Sequence, residues 1–166
     1  MPTHYEGSGT ERLALDAYIK LMRSTASVNA QLFPPLQAEF GITPSQLGVL
    51  EALSHLGPMP HCVLAGKLLV SASNLTTVLD NLERDGLVKR ERDTADRRVS
   101  ITSLTPEGVA RLASFFPAHV RRLVQAMSEL DPDEQVELGR LCRKLGRSAA
   151  VPTAAGDTHS VRSTRA

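Results

Sequence analysis

DNLERDGLVKRERDTADRRVSITSLTPEG, residues 80–108, is the stretch on which the fold turns. It begins inside a helix: Leu75, Val78, Leu79 and Leu82 recur at spacings of three and four, one apolar stripe. Gly86 stands where such a helix ends in a left-handed residue. From there the pattern changes. Residues 87–92 and 99–104 predict a two-stranded hairpin with a polar tip at Thr94 and Ala95. Val99, Ile101 and Ser103 alternate with Ser100, Thr102 and Leu104, although the two faces are not cleanly apolar and polar. Thr105 then caps a new helix, with Pro106 at its first position.

Upstream, Ser71 caps the helix that runs into this stretch, and a short helix over 61–69 turns Leu64, Ala65 and Leu68 inward. Before it, Thr43, Pro44 and Gln46 make a capping box ahead of Leu47, Leu50 and Leu53, and Gly57 and Pro58 end that helix. Leu15, Tyr18, Ile19 and Met22 mark a first helix over 10–32. It should stop or bend at Pro34 and Pro35, because proline has no N–H to donate, with a short helical turn on to Phe40 closed by Gly41. Downstream, Leu112, Phe115, Phe116, Val120, Leu123, Val124 and Met127 give the 105–127 helix a wide apolar face, and Pro117 predicts a kink. Asp131, Pro132 and Glu134 open a last helix to 147, with Leu138, Leu141, Cys142 and Leu145 on one side. Residues 1–9 read as a flexible arm and 148–166 as a disordered tail without apolar period.

At 166 residues and 42% hydrophobic content the chain can bury one ordinary core, and it lacks the roughly 20 consecutive apolar residues of a membrane span. The polar N-terminus has no apolar signal core, so the expected location is cytoplasmic. A net charge of +1 does not by itself advertise nucleic-acid binding; local charge must carry that reading. Cys62 and Cys142 are too few for a disulfide scaffold and form no zinc motif. Of the scattered histidines (His4, His55, His61, His119, His159), His55 and His61 are near one another, but they read as exposed loop residues rather than metal ligands. No nucleophile with a base and an orienter is visible, and no cofactor is implied; an enzyme is not expected.

The chemistry lies in 61–108: two short helices joined by a tight turn, then a basic hairpin. The front of the second helix carries Ser71, Ser73, Asn74, Thr76 and Thr77. Short hydroxyl and amide side chains let a helix lie deep in a DNA major groove and exchange hydrogen bonds with base edges. The same residues are also common on a solvated face. The hairpin tips the balance, with Lys89, Arg90, Arg92, Arg97 and Arg98 against Glu91, Asp93 and Asp96. Asp96 stands two residues before Arg98, and a carboxylate that orients a guanidinium suits it to the narrow, negative minor groove.

Leu82, Glu83, Gly86, Leu87, Val88, Arg90, the run Asp96-Arg97-Arg98, and Leu104, Thr105 and Gly108 together resemble the signature of the MarR family of bacterial transcriptional regulators. The resemblance implies a mainly α fold with a small β-hairpin wing, a winged helix-turn-helix over about 43–104 inside a domain spanning 10–147. It implies a homodimer held by helices at about 10–40 and 105–147, bound to a pseudo-palindromic double-stranded operator. Carried onto this chain, Arg98 would enter the minor groove, Asp96 would orient it, and Arg90 would contact a phosphate. Many members release DNA when a small phenolic or lipophilic effector binds between the dimer helices and the DNA-binding lobe, and others sense oxidation at a cysteine. The peroxide-sensing branch keeps its cysteine in the first helix, where this chain has none. The alternative is a redox switch at Cys62, in the first turn of a helix where the dipole favours a thiolate. Cys142, on an apolar face, reads as an inert core residue.

Overall fold

The computed structural model describes residues 4–94 and 96–149. The chain divides into two compact units, Met1–Met127 and Ser128–Ala166. The first holds five helices and a small sheet: α1 (Gly9–Phe40), α2 (Pro44–Leu56), β1 (Met59–Pro60), α3 (His61–Leu68), α4 (Ala72–Arg84), β2 (Val88–Arg92), β3 (Ser100–Leu104) and α5 (Pro106–Ala126). The second contains α6 (Pro132–Ala149). No single described helix is long and apolar enough to cross a membrane.

α1 starts one residue earlier than its apolar stripe implies, because Ser8 and Glu11 form a capping box. It also runs unbroken through Pro34 and Pro35 to Gly41, which closes it at φ 67°. The expected stop is therefore absent. Proline's fixed φ matches the helix, so its cost is the missing N–H bond, and Leu32 and Leu36, buried on either side, hold the turn by packing. α5 likewise continues through Pro117. At the C-terminus of α1 the Phe40 carbonyl, left without a helical donor, accepts from Arg111 Nη2 of α5. Glu39 accepts from Arg122 Nη2 at 2.5 and 2.7 Å, and the rings of Phe40 and Phe115 lie 5.9 Å apart. These contacts fasten α5 along α1.

The core gathers Leu36, Leu47, Leu50, Leu64, Leu75, Leu79, Leu82, Val88 and Phe115. Its helices begin and end where local chemistry dictates. Thr43 and Gln46 cap α2 reciprocally, Ser71 caps α4 and Thr105 caps α5. After α4, Leu87 N donates to Leu82 O (2.8 Å) and Gly86 N to Glu83 O (3.0 Å), with Gly86 at φ 71°: a Schellman end.

The hairpin is the larger part of a three-stranded antiparallel sheet, in the order β1-β3-β2. The extra strand pairs Met59 with Thr102 and Pro60 with Ile101. On β3 the fully buried side chain is Thr102, with Ser100, Ile101, Ser103 and Leu104 half-buried. α6 opens on the expected Asp131–Glu134 capping box, with Asp131 N to Glu134 Oε2 at 3.0 Å and Glu134 N to Asp131 Oδ1 at 2.9 Å. It reaches Ala149, two residues into the expected tail; the remainder of that tail lies outside the described residues, as do residues 1–3 of the arm and Ala95 at the hairpin tip. Cys142 is exposed in this chain rather than buried in a core.

Candidate nucleic-acid interface

Ser71, Ser73, Asn74, Thr76 and Thr77 are all exposed, opposite the buried Leu75, Leu79 and Leu82 of α4. Their hydrogen bonds are unequal. Ser71 Oγ accepts from Asn74 N at 3.3 Å and lies 3.2 Å from Ser73 Oγ, so it serves as a cap first. Thr76 Oγ1 donates to Ala72 O at 2.9 Å and lies 3.3 Å from His61 Nε2. Its one hydrogen is spent on the carbonyl, so the hydroxyl accepts from His61, which ties the start of α3 to the front of α4. Thr77 Oγ1 leans on Ser73 O at 3.4 Å.

α3 and α4 meet in a three-residue turn whose first member, Leu69, has φ 54° and a side chain 91% exposed. A left-handed leucine on the surface is strained without compensating burial.

The wing is braced at its root and its tip. At the root, Glu83 accepts from Arg90 N at 3.0 Å and from Arg90 Nε at 2.9 Å, with Nη2 also in contact, while Asp80 takes Nη2 at 2.7 Å. Hydrogen bonds from Arg90 hold Glu83 below the usual carboxylate range, and Glu83 raises Arg90 in turn. The guanidinium expected to contact a phosphate is thus committed to two carboxylates of α4. At the tip, Asp93 N donates to Val99 O at 2.9 Å and closes the loop. Asp96 Oδ1 accepts from Arg98 N at 3.0 Å and from Arg98 Nε at 3.3 Å, while the Arg98 side chain remains 92% exposed. The structure therefore brings the expected orienter and groove residue together. The exposed Arg97 contributes its carbonyl to Arg92 Nη1 at 3.2 Å.

The wing's far end is welded to α5. Thr105 Oγ1 donates to Gly86 O at 2.6 Å and accepts from Gly108 N at 3.0 Å. A Cβ on Gly108 would lie 2.0 Å from Leu87 O, so only glycine lets the backbones approach this closely. Seven residues of the signature meet in one joint: Leu82 and Val88 bury, Glu83 holds Arg90, Gly86 turns, and Thr105 and Gly108 dock the next helix. A family model described as "MarR family" matches residues 42–100, from the start of α2 into β3. The HTH-type transcriptional regulator YkoM of Bacillus subtilis (strain 168), itself described as uncharacterized, is 39% identical over 108 residues, 65% of this chain and 70% of its own length.

The chain belongs to the MarR family.

MarR-family proteins are DNA-binding transcriptional regulators, not enzymes, and so is this chain. The HTH-type transcriptional regulator MhqR of the same organism is 29% identical over 136 residues, 82% of this chain and 93% of its own. Among solved structures, the MarR-family regulator Sco3205 of Streptomyces coelicolor, in complex with DNA, superposes with a TM-score of 0.76 at 25% identity, covering 92% of this chain and 95% of that one. That likeness extends beyond the winged motif to most of this chain.

The histidines depart from the expected loop positions. His55 lies in α2, its ring 6.5 Å from Phe116, and His61 opens α3 against Thr76, so they have different partners. Among the described residues, no group of three His, Cys, Asp or Glu is placed to hold a metal ion. His119 is buried in α5. Desolvation lowers its pKa, aided by Arg122 and opposed by Glu51. His119 Nδ1 and Arg122 Nη1 are both buried without a hydrogen-bond partner. Sequence reasoning missed this pair, although 112, 115, 116 and 119 share one helical face. Cys62 is an exposed free thiol in the first turn of α3.

Proposed function

We propose that this regulator is a cytoplasmic repressor that binds a pseudo-palindromic operator as a homodimer and releases it when a small phenolic or lipophilic effector binds. In this reading the front of α4 enters the major groove, with Ser71, Ser73, Asn74, Thr76 and Thr77 toward the bases, and Arg97 and Arg98 follow the wing into the flanking minor groove. The observation that carries it is the tip geometry: an almost fully exposed Arg98 held by Asp96. An oriented guanidinium loses less freedom on entering a groove than a free one. Arg90 acts through the wing, fixing its root against α4.

Homodimerisation is supported by exposed apolar side chains. Leu13, Tyr18 and Met22 of α1, and Val120, Leu123 and Val124 of α5, are exposed in the single chain; on α6, Val136, Leu141 and Leu145 are exposed as well. Helices about 10–40 and 105–147 are the dimerisation elements on this reading. For the effector, His119 Nδ1 and Arg122 Nη1 offer two buried polar nitrogens where α5 meets its neighbours, chemistry that suits a ring with an anionic oxygen.

The test is sedimentation of the purified chain at micromolar concentration, followed by footprinting on the DNA upstream of its own gene with and without a panel of phenols. The expected result is a dimer, a protected stretch with two-fold symmetry, and loss of protection with at least one phenol. A monomer, or protection without symmetry, refutes the dimeric reading.

A further inference from the structure

Thr76 is held from two sides. Its hydroxyl lies 2.9 Å from Ala72 O, one turn back on α4, and 3.3 Å from Nε2 of His61, the first residue of α3. The neighbouring hydroxyls stay within α4 and its cap: Ser73 Oγ lies 3.2 Å from Ser71 Oγ, and Thr77 Oγ1 reaches Ser73 O only at 3.4 Å. Among the described residues, Thr76 alone on that front hydrogen-bonds to a second helix.

The two partners fix the polarity of the hydroxyl. A carbonyl oxygen can only accept, so Ala72 O takes the one hydrogen of Thr76. His61 must then donate through Nε2–H, because the reverse assignment would set two lone pairs against each other at 2.9 Å. Nε2 carries a hydrogen in that neutral tautomer and in the imidazolium alike, so the outcome is the same for both. One lone pair of the hydroxyl faces His61, and one is left over on an exposed residue. Thr76 therefore meets an incoming group as an acceptor with no hydrogen to give.

The major groove sorts bases by this property. Adenine N6 and cytosine N4 are amino donors, whereas guanine O6 and N7 and thymine O4 are acceptors. An acceptor set against a keto base leaves two polar groups desolvated and unpaired, and an unmade bond costs more than a made one gains.

We infer that His61 is a positioning residue for base readout: by holding the Thr76 hydroxyl as a pure acceptor, it makes α4 select adenine or cytosine over guanine or thymine at one position on one strand of each half-site. The inference rests on the reading that the front of α4 enters the major groove. His61 acts through Thr76. Without it the Ala72 carbonyl alone holds the hydroxyl, which can then turn to donate to a keto base as well as accept from an amino one.

The test uses the full chain and the operator found by footprinting, with each base pair of a half-site changed in turn to the other three and scrambled DNA titrated alongside. The wild type should favour adenine or cytosine over guanine or thymine at one position by about fivefold or more. Thr76→Val, which keeps the shape and loses the acceptor, should flatten that preference and leave the profile elsewhere as it was. His61→Ala should shrink the preference at the same position at least about twofold by admitting the keto bases. His61→Gln keeps an N–H at the corresponding atom and should recover it. Melting temperatures should stay near the wild type's, because Thr76 is exposed and His61 half-buried. A His61→Ala protein with the wild-type base profile, or one that loses affinity equally for operator and scrambled DNA, overturns the inference; the second result would make His61 a phosphate contact. A Thr76→Val profile equal to the wild type's also overturns it. A wild type that binds operator no better than scrambled DNA overturns the DNA-binding reading itself, and this inference with it.

Discussion

Glu83 of α4 grips Arg90 of β2 with both carboxylate oxygens, one on the backbone N–H and one on the guanidinium. Asp80, one turn earlier on α4, takes the same guanidinium. Three charges from two elements thereby fix the angle at which the wing leaves α4.

Arg90→Ala should loosen that angle and leave two carboxylates unpaired beside α4. The expected loss of stability is about 1 kcal/mol, since the partners are partly exposed and screened. Operator affinity should fall while its dependence on salt stays near wild type, because the guanidinium is not free for a phosphate. Arg90→Lys should restore little, since an ammonium cannot make the forked contact. A salt slope flattened by about one unit would instead assign Arg90 to the DNA backbone. The pH dependence follows from Glu83. Its folded pKa is lowered, so its contribution is present above the unfolded value, about 4.3, and is lost as pH falls through the folded one. Urea titrations of wild type and Glu83→Gln should therefore converge as the solution is acidified.

Leu69→Gly should stabilise the protein by about 1 kcal/mol, the approximate cost of placing a side chain in the left-handed region. The leucine side chain is almost wholly exposed, so little burial is lost. A lowered melting temperature would mean that Leu69 contributes a contact that outweighs its strain.

Gly108→Ala should act in the opposite direction. Its Cβ would collide with a backbone oxygen, and neither the wing root nor the start of α5 can yield without breaking the Thr105 bonds. A loss of roughly 1–3 kcal/mol is expected, as for other overpacked sites. Equal denaturation midpoints for the two proteins would refute this account of the joint.

Why the joint was legible in sequence while other features were not is a matter of range. Gly86, Thr105, Gly108 and the capping boxes act within a few residues, so spacing alone exposes them. The Asp96–Arg98 contact is equally local. β1 has two residues and no period to detect; only its pairing with β3 defines it. The continuity of α1 through Pro34 and Pro35 depends on Leu32 and Leu36 meeting the core, a tertiary effect that overrides the local signal. The pairing of Arg90 with Asp80 and Glu83 was hidden because those partners lie on another element. The Asp80–Glu83 spacing beside a basic strand was the available clue. Leu112, Phe115, Phe116 and His119 share one helical face, yet the burial of His119 becomes clear only with α5 against its neighbours.

His119→Leu should reduce the sensitivity of stability to mild acid. Burial lowers the folded pKa of His119, so the neutral ring is favoured in the folded state. Its contribution is present above the unfolded pKa, about 6.5, and is lost as pH falls through that value toward the folded one. Melting temperatures of the two proteins should diverge across that window, with the wild type falling faster. Parallel curves would show that His119 does not change protonation on unfolding there.

Arg98→Ala should weaken operator binding more than any other single change in the wing. The side chain projects into solvent while Asp96 Oδ1 fixes both its backbone N–H and its Nε, so the guanidinium is presented in a preferred pose before DNA arrives. A narrow minor groove concentrates negative potential and rewards such a cation. The expected cost is roughly 1–3 kcal/mol per half-site, the size of one good groove contact. Asp96→Asn should cost less, since it removes the orienting charge and keeps the arginine. Neither residue enters the core, so melting temperatures should stay near wild type. The measurement is titration of operator and scrambled DNA at two salt concentrations. Arg98→Ala should lose affinity for operator more than for scrambled sequence, because groove width varies with sequence whereas phosphate charge does not. If it binds both as the wild type does, the wing is no groove reader, and specificity must reside in α4 alone.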